Sequence, residues 1–275
     1  MNIGIMGTGN MGKILIEAFI KSSAVSEQNL FIMNRTKTKV EQIKCEFPTI
    51  QVVNSPEEIV KCTDYIFLCT KPLDIYQILK GISPLLKEEQ CIVSITSPIS
   101  VEQLESLVPC SVARVIPSIN NRVLCGTSLL SFGERCPSHH KQFIENIMTM
   151  ISTPVHIEEN ITRVASDITS CGPAFFTFLL RRFIDAAVME TNISEEQATL
   201  LASKMIIGLG QLIEQKVYTL ETLQEKVCVK GGITGEGIKV LEEEIGEMFN
   251  HLFQQTHAKF YHEKEKITEQ FCIKD

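Results

Sequence analysis

The chain has 275 residues, of which 44% are hydrophobic and 21% are charged, and its formal net charge is −7. This composition is typical of a folded globular protein and excludes a disordered chain, and the length allows two domains. A negative net charge provides no positive field for a nucleic acid or an anionic membrane, so we expect neither as a main partner.

The ten cysteines contain no C-x-x-C pair, which is typical of thiols in a reducing compartment. No basic segment precedes the first apolar run, and no run of about 18 apolar residues predicts a membrane span. We therefore expect a cytoplasmic protein. Cys136, His139 and His140 lack a second pair of ligands. We predict no metal there and interpret the three residues as a surface turn.

The first part of the chain alternates short apolar runs with segments of helical periodicity, which is typical of βαβ units in a parallel sheet. The predicted strands are 2–6, 30–33, 65–69, 91–95, 112–116, 126–132 and 154–157. The predicted helices are 11–22, 38–47, 56–61, 73–86, 101–107 and 138–151. Residues 1–160 are therefore predicted to form an α/β domain with a Rossmann-like, doubly wound sheet.

After residue 160 the strand patterns end, and helical patterns follow at 161–191, 194–216, 220–227 and 234–271. Ser194 and Gln197 have the spacing of a capping box, which predicts a helix start. Small and apolar residues such as Ala198 and Ala202 recur on one helical face. We predict an all-helical domain over 161–275 and favour a homodimer through it over packing within one chain.

The motif Gly7-Thr8-Gly9-Asn10-Met11-Gly12 matches G-x-G-x-x-G between the first predicted strand and the first predicted helix. In this context Gly7 permits the tight turn, Gly9 allows close approach of a pyrophosphate, and Gly12 allows the helix to pack on the strand. N–H groups at the helix start then bind phosphate. The motif therefore predicts a dinucleotide site, with a purely structural turn as the alternative.

The second predicted strand ends at Asn34-Arg35-Thr36-Lys37, without the Asp or Glu that would bind the ribose 2′-OH of NAD. A guanidinium such as that of Arg35 makes charge-assisted hydrogen bonds to a 2′-phosphate. The sequence therefore predicts NADP(H) in preference to NAD(H). The alternative is that Arg35 and Lys37 are solvated loop charges.

Further motifs follow in order along the chain: Thr70-Lys71-Pro72, Ser94-Ile95, Arg114-Val115-Ile116-Pro117, Cys171-Gly172-Pro173-Ala174-Phe175 and Val227-Cys228-Val229-Lys230-Gly231-Gly232-Ile233-Thr234. With the glycine-rich motif, they resemble the pyrroline-5-carboxylate reductase family over nearly the whole chain. The likeness is greatest to its divergent members encoded with bacterial late-competence genes. It implies a Rossmann domain and a helical dimerisation domain, with NADPH reducing the cyclic imine 1-pyrroline-5-carboxylate to proline.

The resemblance also implies residue roles. The implied cofactor contacts are Gly9 to Gly12, Asn34 to Thr36 and Thr70 to Pro72. The implied substrate contacts are Cys171, Gly172, Pro173, Val229, Gly231, Gly232, Ile233 and Thr234. The Gly231 and Gly232 amides would bind the substrate carboxylate, and Thr234 is the candidate catalytic residue, hydrogen-bonded to the reacting nitrogen. An ordinary interhelical turn is the alternative for this loop.

Departures from the family concentrate in the substrate motifs. Ser118 stands where the family usually has Asn, Val229 replaces a serine hydroxyl, and Phe175 replaces a tyrosine. If these changes weaken the site, restoring Asn at 118 and Ser at 229 should raise turnover. Two alternatives remain: an NADP-binding regulatory protein with little or no activity, and a reductase for another imine or a β-hydroxyacid-type substrate. The latter should have a catalytic lysine near 171–173, which the chain lacks.

Overall fold

The structure is a computed structural model that describes residues 1–272. Met1–Pro173 and the chain from Gln255 onward form one compact unit, and Ala174–Gln254 form a second. These units place residues 161–173 with the sheet, so the domain division predicted at residue 160 remains a proposal. Among the described residues, no helix combines the length and apolar character that crossing a membrane requires.

Eight strands of the first unit form a single sheet in the described chain. They are β1 (Ile3–Met6), β2 (Leu30–Met33), β3 (Gln51–Val52), β4 (Tyr65–Leu68), β5 (Cys91–Ser94), β6 (Ser111–Ile116), β7 (Thr127–Phe132) and β8 (Thr153–His156). Their order is β3-β2-β1-β4-β5-β6-β7-β8, and only the β6 and β7 pair is antiparallel. The strand order reverses between β1 and β4, which confirms the predicted doubly wound fold.

Helices cover both faces of this sheet, as the uninterrupted apolar runs of its central strands require. They are α1 (Asn10–Lys21), α2 (Lys37–Glu46), α3 (Pro56–Cys62), α4 (Pro72–Ile82), α5 (Val101–Glu105), α6 (Ser138–Thr149) and α7 (Thr162–Ser166). One hydrophobic core contains Leu15 of α1 and Ile144 of α6, and the other contains Ile59 of α3 and Ile75 of α4. Two packed cores therefore hold the carboxyl edge of the sheet in place.

The remaining helices are α8 (Gly172–Glu190), α9 (Glu195–Glu214), α10 (Leu220–Val227), α11 (Ile233–Ile245) and α12 (Met248–Cys272). Ser194 Oγ accepts the Gln197 N–H at 3.2 Å, so the predicted capping box starts α9. The core of the second unit is small and contains Ile184, Ala198 and Ala202. The helical region predicted after the sheet is thus confirmed, and much of its apolar surface is exposed.

Three element predictions need correction. The single helix predicted at 234–271 is two helices, separated at Gly246, whose φ of 45° is disfavoured for residues with a side chain. The helix predicted at 161–191 contains a π-helical turn, Asp167–Cys171, between α7 and α8. The edge strand β3 was not predicted, because two residues show no periodicity.

The residues interpreted as a surface turn lie partly in the core. Cys136 and His140 are 4% and 3% exposed. His140 Nδ1 and the Tyr65 hydroxyl form a hydrogen bond of 2.8 Å, and burial lowers the pKa of His140. His140 lies on the inward face of α6, which the sequence analysis overlooked. His140 is therefore a core residue that satisfies a buried tyrosine.

Candidate functional site

Glycine is needed at three positions of the loop between β1 and α1 for different structural reasons. A Cβ on Gly7 would lie 2.6 Å from the Cys69 carbonyl oxygen, and one on Gly12 would lie 2.1 Å from the Gly7 carbonyl oxygen. A Cβ on Gly9 would meet no heavy atom within 4 Å. Gly7 and Gly12 therefore allow close packing, whereas Gly9 leaves open space beside the backbone, as close approach of a pyrophosphate requires.

The start of α1 carries unpaired backbone donors. Gly9 is its N-cap, makes no side-chain capping bond, and no acidic residue lies in the first turn. The first N–H groups of a helix have no partner within the helix, and the helix dipole favours an anion there. The backbone from Asn10 to Gly12 can therefore donate to a phosphate.

Asn34 connects the glycine-rich loop to the turn after β2. Its Oδ1 accepts the Thr8 N–H at 3.1 Å, and its Nδ2 donates to the Thr36 carbonyl oxygen at 3.2 Å. The Gly7 N–H donates to the Met33 carbonyl oxygen at 2.9 Å. Both polar groups of the Asn34 amide are thus engaged, so this residue holds the two loops together.

A cavity of about 530 Å³ lies at the carboxyl edge of the sheet, and we call it the cofactor cavity. Its lining is Met6, Gly7, Gly9, Met33, Asn34, Arg35, Thr36, Lys39, Pro56, Cys69, Thr70, Lys71, Leu73, Asp74, Gln77 and Ile78. Three cations, those of Arg35, Lys39 and Lys71, line the cofactor cavity. The carboxylate in the lining, that of Asp74, lies on α4 and not at the end of β2. Thr70 Oγ1 is buried and has no hydrogen-bond partner among residues 1–272, so it is free to bond a ligand.

Seven of the predicted cofactor residues line this cavity: Gly7, Gly9, Asn34, Arg35, Thr36, Thr70 and Lys71. Thr8 and Asn10 line a neighbouring cavity instead, and Met11, Gly12 and Pro72 line neither of the two. The sequence analysis missed Lys39 and Gln77. Lys39 follows Arg35 by four residues, next to the predicted helix start at 38, so helical spacing could have placed the two cations side by side.

Ser118, at the end of β6, is only 1% exposed. Its Oγ donates to the Thr169 carbonyl oxygen at 2.8 Å, and its N–H donates to Asn121 Oδ1 at 2.8 Å. Ser170 Oγ donates to the Pro117 carbonyl oxygen at 2.9 Å. Ser118 and Ser170 thus tie the β6 loop to the π-helical turn, and the effect of Asn at position 118 on turnover stays a prediction.

The π-helical turn is held by a buried charge. Asp167 accepts from Arg163 Nη2 at 2.7 Å and from Thr256 Oγ1 at 2.8 Å. Arg163 Nη2 also donates to Cys171 Sγ at 3.3 Å. Burial raises the pKa of the Cys171 thiol, although the Arg163 guanidinium acts in the opposite direction. The pKa of Cys171 is therefore shifted in the direction opposite to that of a nucleophilic cysteine.

The predicted substrate loop lies in the second unit, whereas Cys171, Gly172 and Pro173 lie in the first. The Gly232 N–H donates to the Val229 carbonyl oxygen at 2.9 Å, so this amide already has a partner. Helix α11 begins one residue later without a side-chain cap. Anion donors in this loop would therefore be the Gly231 N–H and the first N–H groups of α11, including that of Thr234.

The strand order and the open glycine at its reversal point define a dinucleotide-binding fold of the kind found in oxidoreductases. Residues 2–98 match the family described as NADP oxidoreductase coenzyme F420-dependent, and residues 159–262 match pyrroline-5-carboxylate reductase dimerisation. ComE operon protein 4 of Bacillus subtilis (strain 168) is 52% identical over 273 residues, which cover 99% of this chain and 100% of that protein. The chain belongs to the pyrroline-5-carboxylate reductase family.

Other members of the family are similar at lower identity. Pyrroline-5-carboxylate reductase 3 of Bacillus subtilis (strain 168) is 28% identical over 98% of this chain and 97% of its own length. The crystal structure of Plasmodium falciparum pyrroline carboxylate reductase, with NADP bound, has a TM-score of 0.81 at 22% identity, over 97% of this chain and 98% of that one. The reductase from Coxiella burnetii has a TM-score of 0.83 at 20% identity, with the same coverage. These two structures confirm the fold.

Proposed function

We propose that this protein is an NADPH-dependent imine reductase that reduces 1-pyrroline-5-carboxylate to proline, as its relatives are named for doing. The observation that carries the proposal is the open backbone at Gly9 beside the cofactor cavity. Open space beside the backbone at the start of α1 is what close approach of a cofactor pyrophosphate requires. NADPH, when bound, would supply the hydride.

Cofactor preference follows from the charges near β2. Arg35 and Lys39 line the cofactor cavity, and within residues 1–272 neither has a carboxylate within 4 Å. Two such cations suit the 2′-phosphate, a group that NADPH carries and NADH lacks. We therefore propose NADP(H) over NAD(H).

The protein's part in reducing an imine is to orient the substrate and favour its protonated form. We propose that the Gly231 N–H and the first N–H groups of α11 bind the substrate carboxylate and that Thr234 Oγ1 hydrogen-bonds the ring nitrogen. Thr234 is exposed in the single chain, as a residue awaiting a ligand or a second subunit would be. Cys171, Gly172 and Pro173 are proposed as further substrate contacts on the family likeness alone.

We propose a homodimer formed through the second unit. Phe176, Phe178 and Phe183 are each more than 60% exposed, and Met189 is 82% exposed. Burial contributes about 1.5 to 3 kcal/mol for each large apolar side chain, so these residues favour association with a second copy. In light scattering we expect a species of twice the 30.9 kDa chain mass. A stable monomer that binds nucleotide at micromolar concentration would contradict the dimer.

A second candidate function is an NADP-binding regulatory protein with little or no catalysis. It is favoured by the identity to a relative named for a competence operon, and by Val229, which has no hydroxyl for the substrate carboxylate. The two candidates separate when NADPH absorbance is followed with pyrroline-5-carboxylate and the proline formed is quantified. Equal rates of NADPH loss and proline gain support the reductase, whereas NADPH binding without turnover supports the regulator.

A further inference from the structure

Two buried cysteines of the first unit, Cys91 and Cys136, lie side by side, and we call them the thiol pair. Cys91 is the first residue of β5, and Cys136 lies in the turn between β7 and α6. The start of β5 is at the edge of the sheet opposite to the cofactor cavity, whose lining contains neither cysteine. Reduction of an imine by NADPH uses neither thiol, so the thiol pair is independent of the proposed function.

Strand pairing fixes the direction of the Cys91 side chain. Cys91 pairs in register with Tyr65 of β4, and both residues belong to the same hydrophobic core. His140 lies on α6, which covers this core, and bonds the Tyr65 hydroxyl at 2.8 Å. Burial, together with the neighbouring Cys91 and Cys136, raises the pKa of the Tyr65 hydroxyl. The Cys91 side chain therefore points toward α6 and the turn that precedes it.

The turn that carries Cys136 is held beside the start of β6. The Gly133 N–H donates to the Val112 carbonyl oxygen at 2.9 Å, and the Cys136 N–H donates to the Gly133 carbonyl oxygen at 3.2 Å. Cys91 is paired with Ser111, the residue before Val112. These backbone contacts bring the two thiols together from distant positions in the sequence. Both sequence neighbours of Cys136 are exposed, so Cys136 lies directly beneath the surface.

The two thiols differ in acidity. A hydrogen bond from the Cys91 thiol lowers the pKa of Cys136, against the effect of burial, and the Lys141 ammonium lowers it further. The same hydrogen bond, together with burial, raises the pKa of Cys91. Cys91 thus keeps its hydrogen, for which the Ile92 carbonyl oxygen, 3.7 Å from Sγ, is a second acceptor. Because the thiolate is the nucleophilic form of cysteine, Cys136 is the attacking member of the thiol pair.

We propose that the thiol pair reacts with hydrogen peroxide and closes to a reversible disulfide between Cys136 and Cys91. The Cys136 thiolate attacks one peroxide oxygen, so that an S–O bond forms, the O–O bond breaks and hydroxide leaves to become water. The Cys91 sulfur then attacks the Cys136 sulfur, an S–S bond forms, and the S–O bond breaks as the Cys91 proton leaves with the oxygen as a second water. Two thiols are oxidised, and one peroxide is reduced.

Peptide mapping of the whole protein tests this pairing. The reduced protein is treated with a small molar excess of hydrogen peroxide, catalase removes the remainder, and free thiols are blocked as the chain is unfolded. Trypsin with a glutamate-specific protease then separates Cys91, Cys110 and Cys136 onto peptides 90–102, 106–114 and 136–141. We expect 90–102 linked to 136–141, and we expect loss of the linked peptide after dithiothreitol.

Serine variants test the role of each thiol. Cys136→Ser should abolish the linked peptide. Cys91→Ser should stop the reaction at a sulfenic acid on Cys136, which dimedone traps as a stable adduct. Cys110→Ser is the matched control, because Cys110 is equally buried but belongs to the other hydrophobic core, and burial raises its pKa to about 11. This variant should form the linked peptide as the natural protein does.

Three results would overturn the proposal, and each is read from the natural protein. One is that 90–102 and 136–141 stay unlinked while an exposed cysteine such as Cys45 is oxidised. Another is linkage of either peptide to 106–114, which would assign the bond to Cys110. The third is a linked peptide that forms only when peroxide is added to the unfolded chain, since the native fold would then keep the thiols from reacting.

Discussion

Ser118 Oγ donates to the Thr169 carbonyl oxygen at 2.8 Å and thereby joins the end of β6 to the π-helical turn before α8. The two residues are 51 positions apart in sequence, and Ser118 is 1% exposed. A position that the family likeness suggested for the substrate is therefore occupied by a structural bond. The turn that carries Cys171 is held by this bond and by Arg163, which donates hydrogen bonds to Asp167 and to Cys171.

Removing this bond should lower stability. Ser118→Ala leaves the part-buried Thr169 carbonyl oxygen without this donor, which costs about 1 to 3 kcal/mol. Ser118→Asn should be at least as unfavourable, since extra atoms in a packed site cost about 1 to 3 kcal/mol. Thermal melting measures both. Ser106→Ala is the matched control, because its hydroxyl also bonds a carbonyl oxygen, at 2.7 Å, but on the surface. A Ser118→Asn protein as stable as the natural one and more active would show that the bond is dispensable.

Alanine at Gly9 and alanine at Gly12 should have opposite consequences. Gly12→Ala places a methyl group 2.1 Å from a carbonyl oxygen, so it should lower the melting temperature strongly. Gly9→Ala meets no neighbour and should melt near the natural temperature. It should nevertheless weaken the binding of both NADPH and NADH at least about tenfold, or roughly 1.4 kcal/mol, because the methyl group fills the space for the pyrophosphate. Fluorescence titration gives both affinities, and an unchanged Gly9→Ala affinity would place the pyrophosphate elsewhere.

Arg35→Ala should discriminate between the two nucleotides. Loss of a charge-assisted contact costs about 1.5 to 3 kcal/mol, or roughly ten- to hundredfold in affinity, and only NADPH has the 2′-phosphate. Lys37→Ala serves as the control, because this neighbouring cation does not line the cofactor cavity. Binding titrations with both nucleotides decide the matter. Equal losses of affinity for NADPH and NADH in Arg35→Ala would mean that the arginine does not contact the 2′-phosphate.

A hydroxyl at position 229 should improve substrate binding. Val229 is 66% exposed beside the start of α11. If the substrate carboxylate binds there, Val229→Ser adds a hydrogen bond of about 1 kcal/mol, or roughly fivefold, chiefly in KM because the carboxylate keeps its charge throughout the reaction. Steady-state kinetics with pyrroline-5-carboxylate measures the change. Val227→Ser, the same substitution on α10, should have no such effect. An unchanged KM in Val229→Ser would show that the substrate carboxylate does not bind at this loop.

Most of the α/β domain could be predicted because its signals are local. Apolar runs such as 65–69 lie within one residue of the observed strand, and the glycine motif fixes the turn before α1. The break at Gly246 was missed because the apolar pattern continues on both sides of it. The π-helical turn was missed because it differs from an α-helix in its backbone hydrogen bonds, which the spacing of hydrophobic residues does not indicate.

The candidate site was predictable where backbone conformation demands a residue type, and less so where side chains meet from distant positions. Gly9 and Arg35 line the cofactor cavity as expected. The role of Ser118 depends on Thr169, which lies 51 positions further along the chain. Such contacts are set by tertiary packing, which a single sequence does not reveal.

The most direct test of the reductase proposal is to follow the hydride itself. The protein is incubated with pyrroline-5-carboxylate and NADPH that carries deuterium at the transferred position of the nicotinamide, and the proline is analysed by mass spectrometry, with the Gly9→Ala protein as control. We expect proline that has gained a single deuterium with the natural protein and much less product with the control. Unlabelled proline, or no proline while NADPH binds normally, would contradict it.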